Sequence, residues 1–418
     1  VPLPFVMKNF EIPIIYRSPL VAAIKAERRR QDRMKRDFSP TRLDFGRLQI
    51  FLARHFGFCY GVENAIEISF RTIDQNPGRR IFLLSEMIHN PHVNADLQSR
   101  GVQFLQDTRG NQLIPFESLT ADDIVIIPAF GTTLEIQARL RQIGSRTEQY
   151  DTTCPFVEKV WNRSAQIAEK KYSIVLHGKP GHEETRATFS HAAAVTPTVV
   201  IKDMDEARAL AGYINGTRPA GDFYPEFRGR YSPGFDVKKD LTRIGVVNQT
   251  TMLASDTQEI ADFLRQTMVE TYGTAAGTIE QHFADTRDTL CYATLDNQSA
   301  VQTLLQMDAD LAIVVGGYNS SNTSHLVELC EQQVPTYFVR SDDNLLSPTE
   351  ISHYLFHEKQ ELTTKDWLPA HKPEPVRILL TSGASCPDAL VEAVICRLAA
   401  FFDAEDQIPA LIARFAAS

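Results

Sequence analysis

The chain has 418 residues, of which 43% are hydrophobic and 23% are charged, as is usual for a globular protein. Its formal net charge of −9 disfavours nucleic acid or an acidic membrane surface as the main partner, because little positive charge is left to neutralise phosphates. No apolar run approaches the roughly 18 residues of a membrane span, and no secretory signal pattern is present. The six cysteines are too few and too widely spaced for a disulfide scaffold, so we expect a reducing compartment.

Residues 1–47 are predicted to form an N-terminal extension. Its mixed-charge run at 27–37 is typical of a solvated helix face or a loose arm. The extension is neither Ser-rich nor acid-poor, as a plastid transit peptide would be. We therefore expect a bacterial cytoplasmic location rather than a plastid.

From residue 48 onward the chain repeats one order of elements three times, which predicts three repeats at 48–150, 151–288 and 289–418. Short apolar runs predict buried strands. These runs lie at 81–84, 102–105, 124–127, 173–176, 198–201, 244–247, 311–315, 336–339 and 376–380. Two stretches interrupt the pattern as insertions, at 212–243 and 341–375. The first is rich in Gly, Pro and charge and is predicted to be a loop. Downstream of it, Asp256 and Glu259 predict the capping box of a helix that ends near Tyr272.

Strands that alternate with helices indicate parallel sheets. The expected fold is α/β, with three pseudo-symmetric units whose small parallel sheets surround one central site. The loops that follow the carboxyl ends of the strands are the binding positions in such sheets.

One cysteine opens a helix in each repeat: Cys59, Cys154 and Cys291. The polar loop after the next strand begins 30, 28 and 29 residues later, at His89, His182 and Ser320. Because three thiols at equivalent places can converge, they match the ligand count of a cubane iron–sulfur cluster with one iron left for substrate. Tetrahedral zinc with three thiolates remains an alternative, and a cysteine hydrolase would leave two thiols unexplained.

The other three cysteines have different surroundings. Cys330 and Cys396 lie within helices among apolar residues and are predicted to belong to the core. Cys386 adjoins a polar loop, which leaves a role in the site open.

The polar loops carry hydroxyl, amide, imidazole and carboxylate groups at matching strand ends. Such donors, together with helix N-termini, bind diphosphate. Glu184 is the only carboxylate of the set and a candidate proton donor. The chain has neither a P-loop nor a Rossmann glycine pattern. The candidate residues are His89, Asn90, His182, Glu184, Thr250, Ser320, Ser321, Asn322 and Ser385.

At these residues, between about Arg54 and Arg397, the sequence resembles the 4-hydroxy-3-methylbut-2-enyl diphosphate reductase (LytB) family. The resemblance rests on seven ordered motifs. They are Gly57-Phe58-Cys59-Tyr60-Gly61-Val62, Ile88-His89-Asn90, Asp151-Thr152-Thr153-Cys154-Pro155, Gly181-His182-Glu183-Glu184-Thr185, Asn248-Gln249-Thr250-Thr251, Asn319-Ser320-Ser321-Asn322 and Ser382-Gly383-Ala384-Ser385.

The resemblance implies a role for each candidate residue. Cys59, Cys154 and Cys291 would ligate a [4Fe-4S] cluster. His89, His182, Ser320, Asn322 and Ser385 would hold the substrate diphosphate, with Ser321 beside them. Thr250 and Glu184 would lie near the substrate hydroxymethyl group, where Glu184 relays protons.

The family removes an allylic hydroxyl with two electrons and protons, which yields isopentenyl and dimethylallyl diphosphates. This is the last step of the methylerythritol phosphate (non-mevalonate) route to isoprenoids. The implied partners are the small diphosphate substrate and a ferredoxin or flavodoxin electron donor, with no nucleic acid and no membrane.

One position departs from the better-known bacterial branch of the family, which has a histidine where this chain has Phe130. Phenylalanine there, the long N-terminal extension and the 212–243 insertion resemble the plant and cyanobacterial branch. The alternatives are quinolinate synthase, which condenses and dehydrates without net reduction, and a non-catalytic iron–sulfur sensor. The diphosphate-type donors argue against both.

Overall fold

The computed structural model describes residues 10–145, 147–273, 279–284 and 289–417. The α-helices are α1 (Pro19–Gln31), α2 (Tyr60–Gln75), α3 (Pro91–Ser99), α4 (Leu134–Ile143), α5 (Pro155–Glu169), α6 (Glu183–Ala193), α7 (Met204–Ile214), α8 (Ala220–Glu226), α9 (Val237–Asp240), α10 (Ala254–Tyr272), α11 (Tyr292–Leu304), α12 (Ser321–Glu331), α13 (Asp388–Ala400) and α14 (Ile408–Ala417). The strands are β1 (Thr41–Asp44), β2 (Leu48–Leu52), β3 (Ile81–Leu83), β4 (Gln103–Phe104), β5 (Ile124–Ile126), β6 (Ser173–His177), β7 (Thr198–Ile201), β8 (Ile244–Asn248), β9 (Leu311–Val315), β10 (Thr336–Val339), β11 (Glu350–Leu355), β12 (Gln360–Lys365) and β13 (Val376–Ser382).

The expected α/β fold with small parallel sheets is confirmed, since each predicted strand segment overlaps a strand of the structure. The contacts divide the chain into two compact units. Unit 1 comprises residues 1–67, 89–93 and 295–418, and unit 2 comprises 68–88 and 94–294. The three repeat boundaries drawn from the sequence stay a prediction.

Unit 1 is built on one sheet with the strand order β1-β2-β13-β9-β10. Only β1, at the edge, pairs antiparallel; β2, β13, β9 and β10 are parallel. Alternate residues of β9 enter two separate cores, with Ile313 on one face and Val314 on the other. A strand buried on both faces needs apolar residues at every position, which is why this run was readable in the sequence.

Unit 2 contains two parallel sheets, ordered β4-β3-β5 and β7-β6-β8. In each sheet the strand order is second, first, third along the chain. The segment that follows then joins the third strand by a single parallel bridge, Asp151 to Ile127 and Phe283 to Ile244. In unit 1, β2 pairs in the same way with β13. The chain that leads toward each cysteine is therefore held against the last strand of a sheet.

The N-terminal extension is more than a loose arm. Leu20, Val21 and Ile24 of α1 are buried in the same core as residues of α13 and α14. The mixed-charge run itself is mostly exposed, as predicted. The many polar residues of this segment hid the short apolar stripe that α1 buries.

The loop prediction for 212–243 was wrong, because this stretch contains α8 and α9. Phe223 and Phe227 are fully buried and lie with ring centroids 5.0 Å apart. Phe235 stacks on Phe223 at 5.3 Å. Stacked aromatic rings hold this segment together despite its Gly and Pro content.

Two further details differ from the sequence reading. Helix α10 begins at Ala254 with Leu253 as N-cap, so the capping box predicted at Asp256 and Glu259 is wrong. The helix does end at Tyr272, where Gly273 takes the left-handed conformation. The insertion at 341–375 contains the antiparallel hairpin of β11 and β12.

Candidate active site

Each of the three candidate cysteines lies directly before a helix. Cys59 precedes α2, Cys154 is the N-cap of α5, and Cys291 precedes α11. All three are free thiols. In the Cys59 loop, desolvation raises the pKa of the thiol, and the backbone amides of Val62 and Gly61 act in the opposite direction. A metal ion that replaces the proton would remove this preference for the neutral form.

Each of the three cysteines makes an equivalent backbone hydrogen bond. Each cysteine N–H donates to a carbonyl in the loop after the last strand of the preceding repeat. The pairs are Cys59 N to Ala384 O at 3.1 Å, Cys154 N to Ala129 O at 3.0 Å and Cys291 N to Thr250 O at 3.3 Å. The same backbone contact therefore recurs at each cysteine, once within unit 1 and twice within unit 2. The threefold arrangement of the repeats stays a prediction.

The cysteines are divided between the two units. Cys59 belongs to unit 1, whereas Cys154 and Cys291 belong to unit 2. Among the described residues, no group of three or more His, Cys, Asp or Glu side chains is arranged to hold a metal ion. The three-cysteine cluster therefore stays a prediction.

The N-terminal extension packs directly on the Cys59 loop. The Phe10 ring meets Tyr60 edge-on at 4.9 Å, and the Tyr16 ring meets Phe58 at 5.9 Å. The Lys25 Nζ lies 4.7 Å from the centre of the Phe56 ring. These contacts flank Cys59 on both sides in sequence, so the extension fixes the loop that presents this thiol.

The same loop depends on a glycine. Gly57 has φ +76°, and a Cβ there would lie 2.2 Å from Asp388 Oδ1. Asp388 is itself paired with Lys25 at 2.8 Å. A side chain at position 57 would therefore have to displace the Asp388 carboxylate from its place beside Lys25.

We expect Gly57→Ala to lower the free energy of unfolding by about 2–4 kcal/mol, from left-handed strain plus the clash with Asp388. Gly46→Ala is the matched control, because Gly46 has φ +74° and nothing within 4 Å of its added Cβ. It should cost about 1–2 kcal/mol, the strain of an L-residue in the left-handed region. Urea unfolding of both variants measures the difference, and equal losses would contradict the proposed close approach.

In unit 1 the structure brings several predicted anion-binding residues together. The Ser385 hydroxyl donates to the His89 carbonyl at 3.2 Å. A Cβ on Gly317 would lie 2.2 Å from the same carbonyl, so the loop after β9 approaches His89 as well. Asn90 is buried and caps α3, since its Oδ1 accepts from the His92 amide at 3.1 Å.

Asn322 provides an orphaned donor in this group. Its Oδ1 accepts from the Ala384 amide at 2.8 Å and from Asn297 Nδ2 at 3.3 Å, which fixes the orientation of the amide. Its Nδ2 is buried and has no hydrogen-bond partner among the described residues. A buried amide nitrogen without a partner is costly unless a ligand accepts from it. Sequence reasoning missed the supporting residue, Asn297, which lies inside α11.

The two serines beside Asn322 begin α12. Ser320 is the N-cap of this helix and accepts from the Thr323 amide at 3.2 Å. Ser321 is the first helical residue, and both serines are buried. The N-terminus of α12 thus presents amide groups and hydroxyls beside Asn322, a favourable setting for phosphate oxygens.

In unit 2, Glu184 and Thr250 form a buried pair. The Thr250 amide donates to Glu184 Oε1 at 2.5 Å, and the Thr250 hydroxyl donates to Oε2 at 3.0 Å. Glu184 is only 2% exposed. Because the Thr250 carbonyl also accepts from the Cys291 amide, one residue connects the carboxylate with the cysteine loop.

His182 is the N-cap of α6, which settles how its ring is protonated in the neutral form. Its Nδ1 accepts from the Glu184 amide at 3.1 Å, so the ring hydrogen lies on Nε2 and that atom is a donor. The Phe130 ring meets the imidazole edge-on at 5.6 Å. Phe130 therefore supports the position of His182 and donates no hydrogen bond itself.

Gln249 was part of a quoted motif but was given no role from the sequence. Its Oε1 accepts from the Lys179 amide at 3.1 Å and from the Thr185 hydroxyl at 2.9 Å. Its Nε2 donates to the Thr251 hydroxyl at 2.7 Å. This side chain joins the loop after β6, the first turn of α6 and the loop after β8, so it holds His182 and Thr250 in their loops.

The remaining cysteines belong to the core. Cys330 and Cys386 are fully buried, and burial raises the pKa of each thiol to about 12. Cys396 is half-buried in α13 and packs against the core of unit 1. The core prediction for Cys330 and Cys396 is confirmed, and Cys386 lies in the same core as Cys396.

The fold and these loops define an α/β protein with a cysteine before a helix in each of three related segments. The chain belongs to the LytB protein family, whose sequence profile matches residues 50–399. A relative from Picosynechococcus sp. is 41% identical over 355 residues, which cover 84% of both chains. A second, from Cyanothece sp., is 38% identical and covers 89% of this chain and 88% of its own. Both are named 4-hydroxy-3-methylbut-2-enyl diphosphate reductase, and both are cyanobacterial, as the predicted branch implied.

Solved structures agree at the level of the fold. The Plasmodium falciparum E-1-hydroxy-2-methyl-but-2-enyl-4-diphosphate reductase is 21% identical, with a TM-score of 0.59 over 84% of this chain and 87% of its own. A structure of the corresponding terminal enzyme of the non-mevalonate pathway gives a TM-score of 0.50 at 23% identity, over 84% and 98% of the two chains. Within the described residues, no helix has the length and apolar character of a membrane span.

Proposed function

We propose that this chain reduces 4-hydroxy-3-methylbut-2-enyl diphosphate to isopentenyl and dimethylallyl diphosphates, the last step of the non-mevalonate route. In each turnover the allylic C–O bond breaks, a C–H bond forms and the hydroxyl leaves as water. The reaction consumes two electrons and two protons. Membership of the LytB family and reductase relatives matched over more than four-fifths of their length support this activity.

The observation that carries the proposal is the buried pair of Glu184 and Thr250. The carbonyl of Thr250 also accepts from the Cys291 amide, so the pair lies beside this cysteine. A reductive dehydroxylation needs a proton beside the leaving hydroxyl. Glu184 is shielded from water, and in its protonated form it can deliver one at a fixed position. The Thr250 hydroxyl is the group through which the substrate would meet this carboxyl.

The family resemblance implies a [4Fe-4S] cluster, and the donor set fits it. The three free thiols at Cys59, Cys154 and Cys291 are the ligand type that such clusters use. When bound, the cluster would supply electrons and an iron to which a hydroxyl oxygen can bind. The chain's own part is to present the thiols, and it does so with the same backbone hydrogen bond at each one.

Each unit carries candidate donors for the diphosphate. In unit 1 these are His89, Ser385, the α12 N-terminus with Ser320 and Ser321, and Asn322, whose amide nitrogen has no partner among the described residues. In unit 2 the donor is His182 Nε2. Since the chain has Phe130 where a histidine donor is found in the other branch, these residues cover the diphosphate without it.

The quinolinate synthase alternative uses no electrons, and the sensor alternative has no use for a buried proton donor. Anaerobic incubation with the hydroxymethylbutenyl diphosphate and dithionite-reduced methyl viologen tests the reductase directly. We expect both five-carbon diphosphates to form. No turnover by protein with an intact cluster would refute the reductase.

The substitution Asn322→Asp tests whether the Asn322 amide nitrogen binds the diphosphate. The aspartate keeps an acceptor for the Ala384 amide but replaces the orphaned donor with an anionic oxygen. We expect diphosphate affinity to fall at least about tenfold, because a hydrogen bond to a charged group contributes about 1.5–3 kcal/mol. Calorimetric titration of the oxidised enzyme with isopentenyl diphosphate measures it. Unchanged affinity would place the diphosphate elsewhere.

A further inference from the structure

The stretch 25–36 differs sharply in charge from the rest of the chain. It contains seven basic and two acidic residues, although the whole chain carries −9. Five of the basic side chains are exposed. One of them, Arg30, donates to the Phe415 carbonyl at 3.2 Å, and we call the other four the basic face: Arg29, Arg33, Lys35 and Arg36. Within the described part of the chain, none of the four forms an ion pair.

The basic face lies on the outer side of the N-terminal extension. Helix α1 buries Leu20, Val21 and Ile24, which leaves Arg29 on its opposite side. The other three members follow α1 in the turn, where Met34 is 70% exposed. Exposed positive charge around one exposed apolar side chain has the composition of a protein docking surface.

A partly buried group near this surface responds to its positive charge. The pKa of His55 is lowered to about 4, mainly by burial and also by the charges of Arg54 and Lys35, while Asp32 acts against them. Arg54 is 8% exposed, and its Nε has no hydrogen-bond partner among the described residues. An acidic surface brought to this face would meet a segment with an excess of positive charge.

The same extension holds the loop of Cys59. Tyr16 and Lys25 contact the aromatic residues that flank this cysteine, and Lys25 lies on the same helix as Arg29. A macromolecule docked on the basic face is therefore one helix away from a proposed cluster ligand. The proposed reaction needs two electrons for each turnover, and these must come from outside the substrate.

We propose that Arg29, Arg33, Lys35 and Arg36 form the docking surface for an acidic one-electron carrier protein. This inference rests on the proposed function, since only a reductase needs such a partner. Complementary charge would act mainly on the rate of association, with Met34 at the apolar centre of the contact. The N-terminal extension then has two roles, to fix the Cys59 loop and to receive the electron donor.

The test compares two variants with equal changes of net charge. One reverses the basic face: Arg29→Glu, Arg33→Glu, Lys35→Glu and Arg36→Glu. The control reverses four exposed basic residues of unit 2: Lys170→Glu, Arg228→Glu, Lys238→Glu and Lys239→Glu. The probe is a reduced acidic [2Fe-2S] ferredoxin, and its kcat/KM is measured at low and high salt.

We expect the first variant to lose at least about tenfold in kcat/KM for the ferredoxin at low salt, because steering by charge raises association rates by about 10–1000-fold. The loss should shrink at high salt. Iron content and turnover with reduced methyl viologen, a small dication, should match the wild type. The control variant should lose less than about threefold.

Direct binding of the ferredoxin, measured by calorimetry without turnover, separates this inference from the proposed function. Wild-type binding that the first variant loses supports the surface even if the reductase assay fails. Equal ferredoxin binding by both variants would overturn it. So would a first variant that loses binding to phosphatidylglycerol vesicles or RNA while its ferredoxin kinetics stay normal, since the face would then serve another class of partner.

Discussion

Anaerobically purified wild-type protein is expected to contain about four irons per chain, and Cys154→Ser is expected to lose most of them together with turnover. Cys154 is the N-cap of α5 without a side-chain capping hydrogen bond, and a serine hydroxyl at this position can accept one from the first helical turn. It is a poor ligand for iron in place of a thiolate. The loss should therefore affect the metal far more than the fold.

Cys396→Ala is the matched control for this substitution. Cys396 is a free, half-buried thiol in α13, so its removal changes the cysteine count without touching the three loops. Iron and sulfide analysis with electron paramagnetic resonance should give wild-type values for it. If wild-type protein from iron-replete cells contained stoichiometric zinc and no iron, the three cysteines would hold zinc and the cluster prediction would be wrong.

The strands and the cysteine loops were predictable because the sequence records them directly. Strands of parallel sheets are buried on both faces and appear as apolar runs, unbroken in β9 and with polar residues only at the two ends in β6; the residues of both strands are all buried. A cysteine between such a strand and an amphipathic helix marks a binding position. Within each unit, hydrogen bonds join several of the loops that carry the predicted site residues.

What the sequence concealed has a common cause: it depends on contacts between distant segments. Phe223 and Phe235 hold the 212–243 stretch by stacking, which a local reading of Gly and Pro content cannot detect. The equivalent backbone hydrogen bonds of the three cysteines leave no trace in side-chain patterns. The role of Asn297 depends on the approach of Asn322, and the packing of α1 on the Cys59 loop depends on residues more than thirty positions apart.

Glu184→Gln is expected to retain the cluster and near-normal substrate affinity but to lose most turnover, about 100-fold or more. The amide has nearly the same shape, and its oxygen can still accept from the Thr250 amide. Its nitrogen can donate to the Thr250 hydroxyl, which is able to accept as well as donate. An ionised carboxylate would repel a diphosphate, so this residue contributes little to affinity. What the variant lacks is a transferable proton.

The neighbouring residue provides the control. Glu183 is also buried in the first turn of α6, but its carboxylate accepts from the Ser85 hydroxyl. Glu183→Gln should keep turnover within a few-fold of the wild type, so that a loss confined to Glu184→Gln cannot come from disturbing the start of α6. Calorimetric titration of the oxidised enzyme, compared with anaerobic turnover, separates affinity from proton delivery. Near-wild-type turnover in Glu184→Gln would contradict this role and would indicate that Thr250 and the substrate's own diphosphate relay the proton.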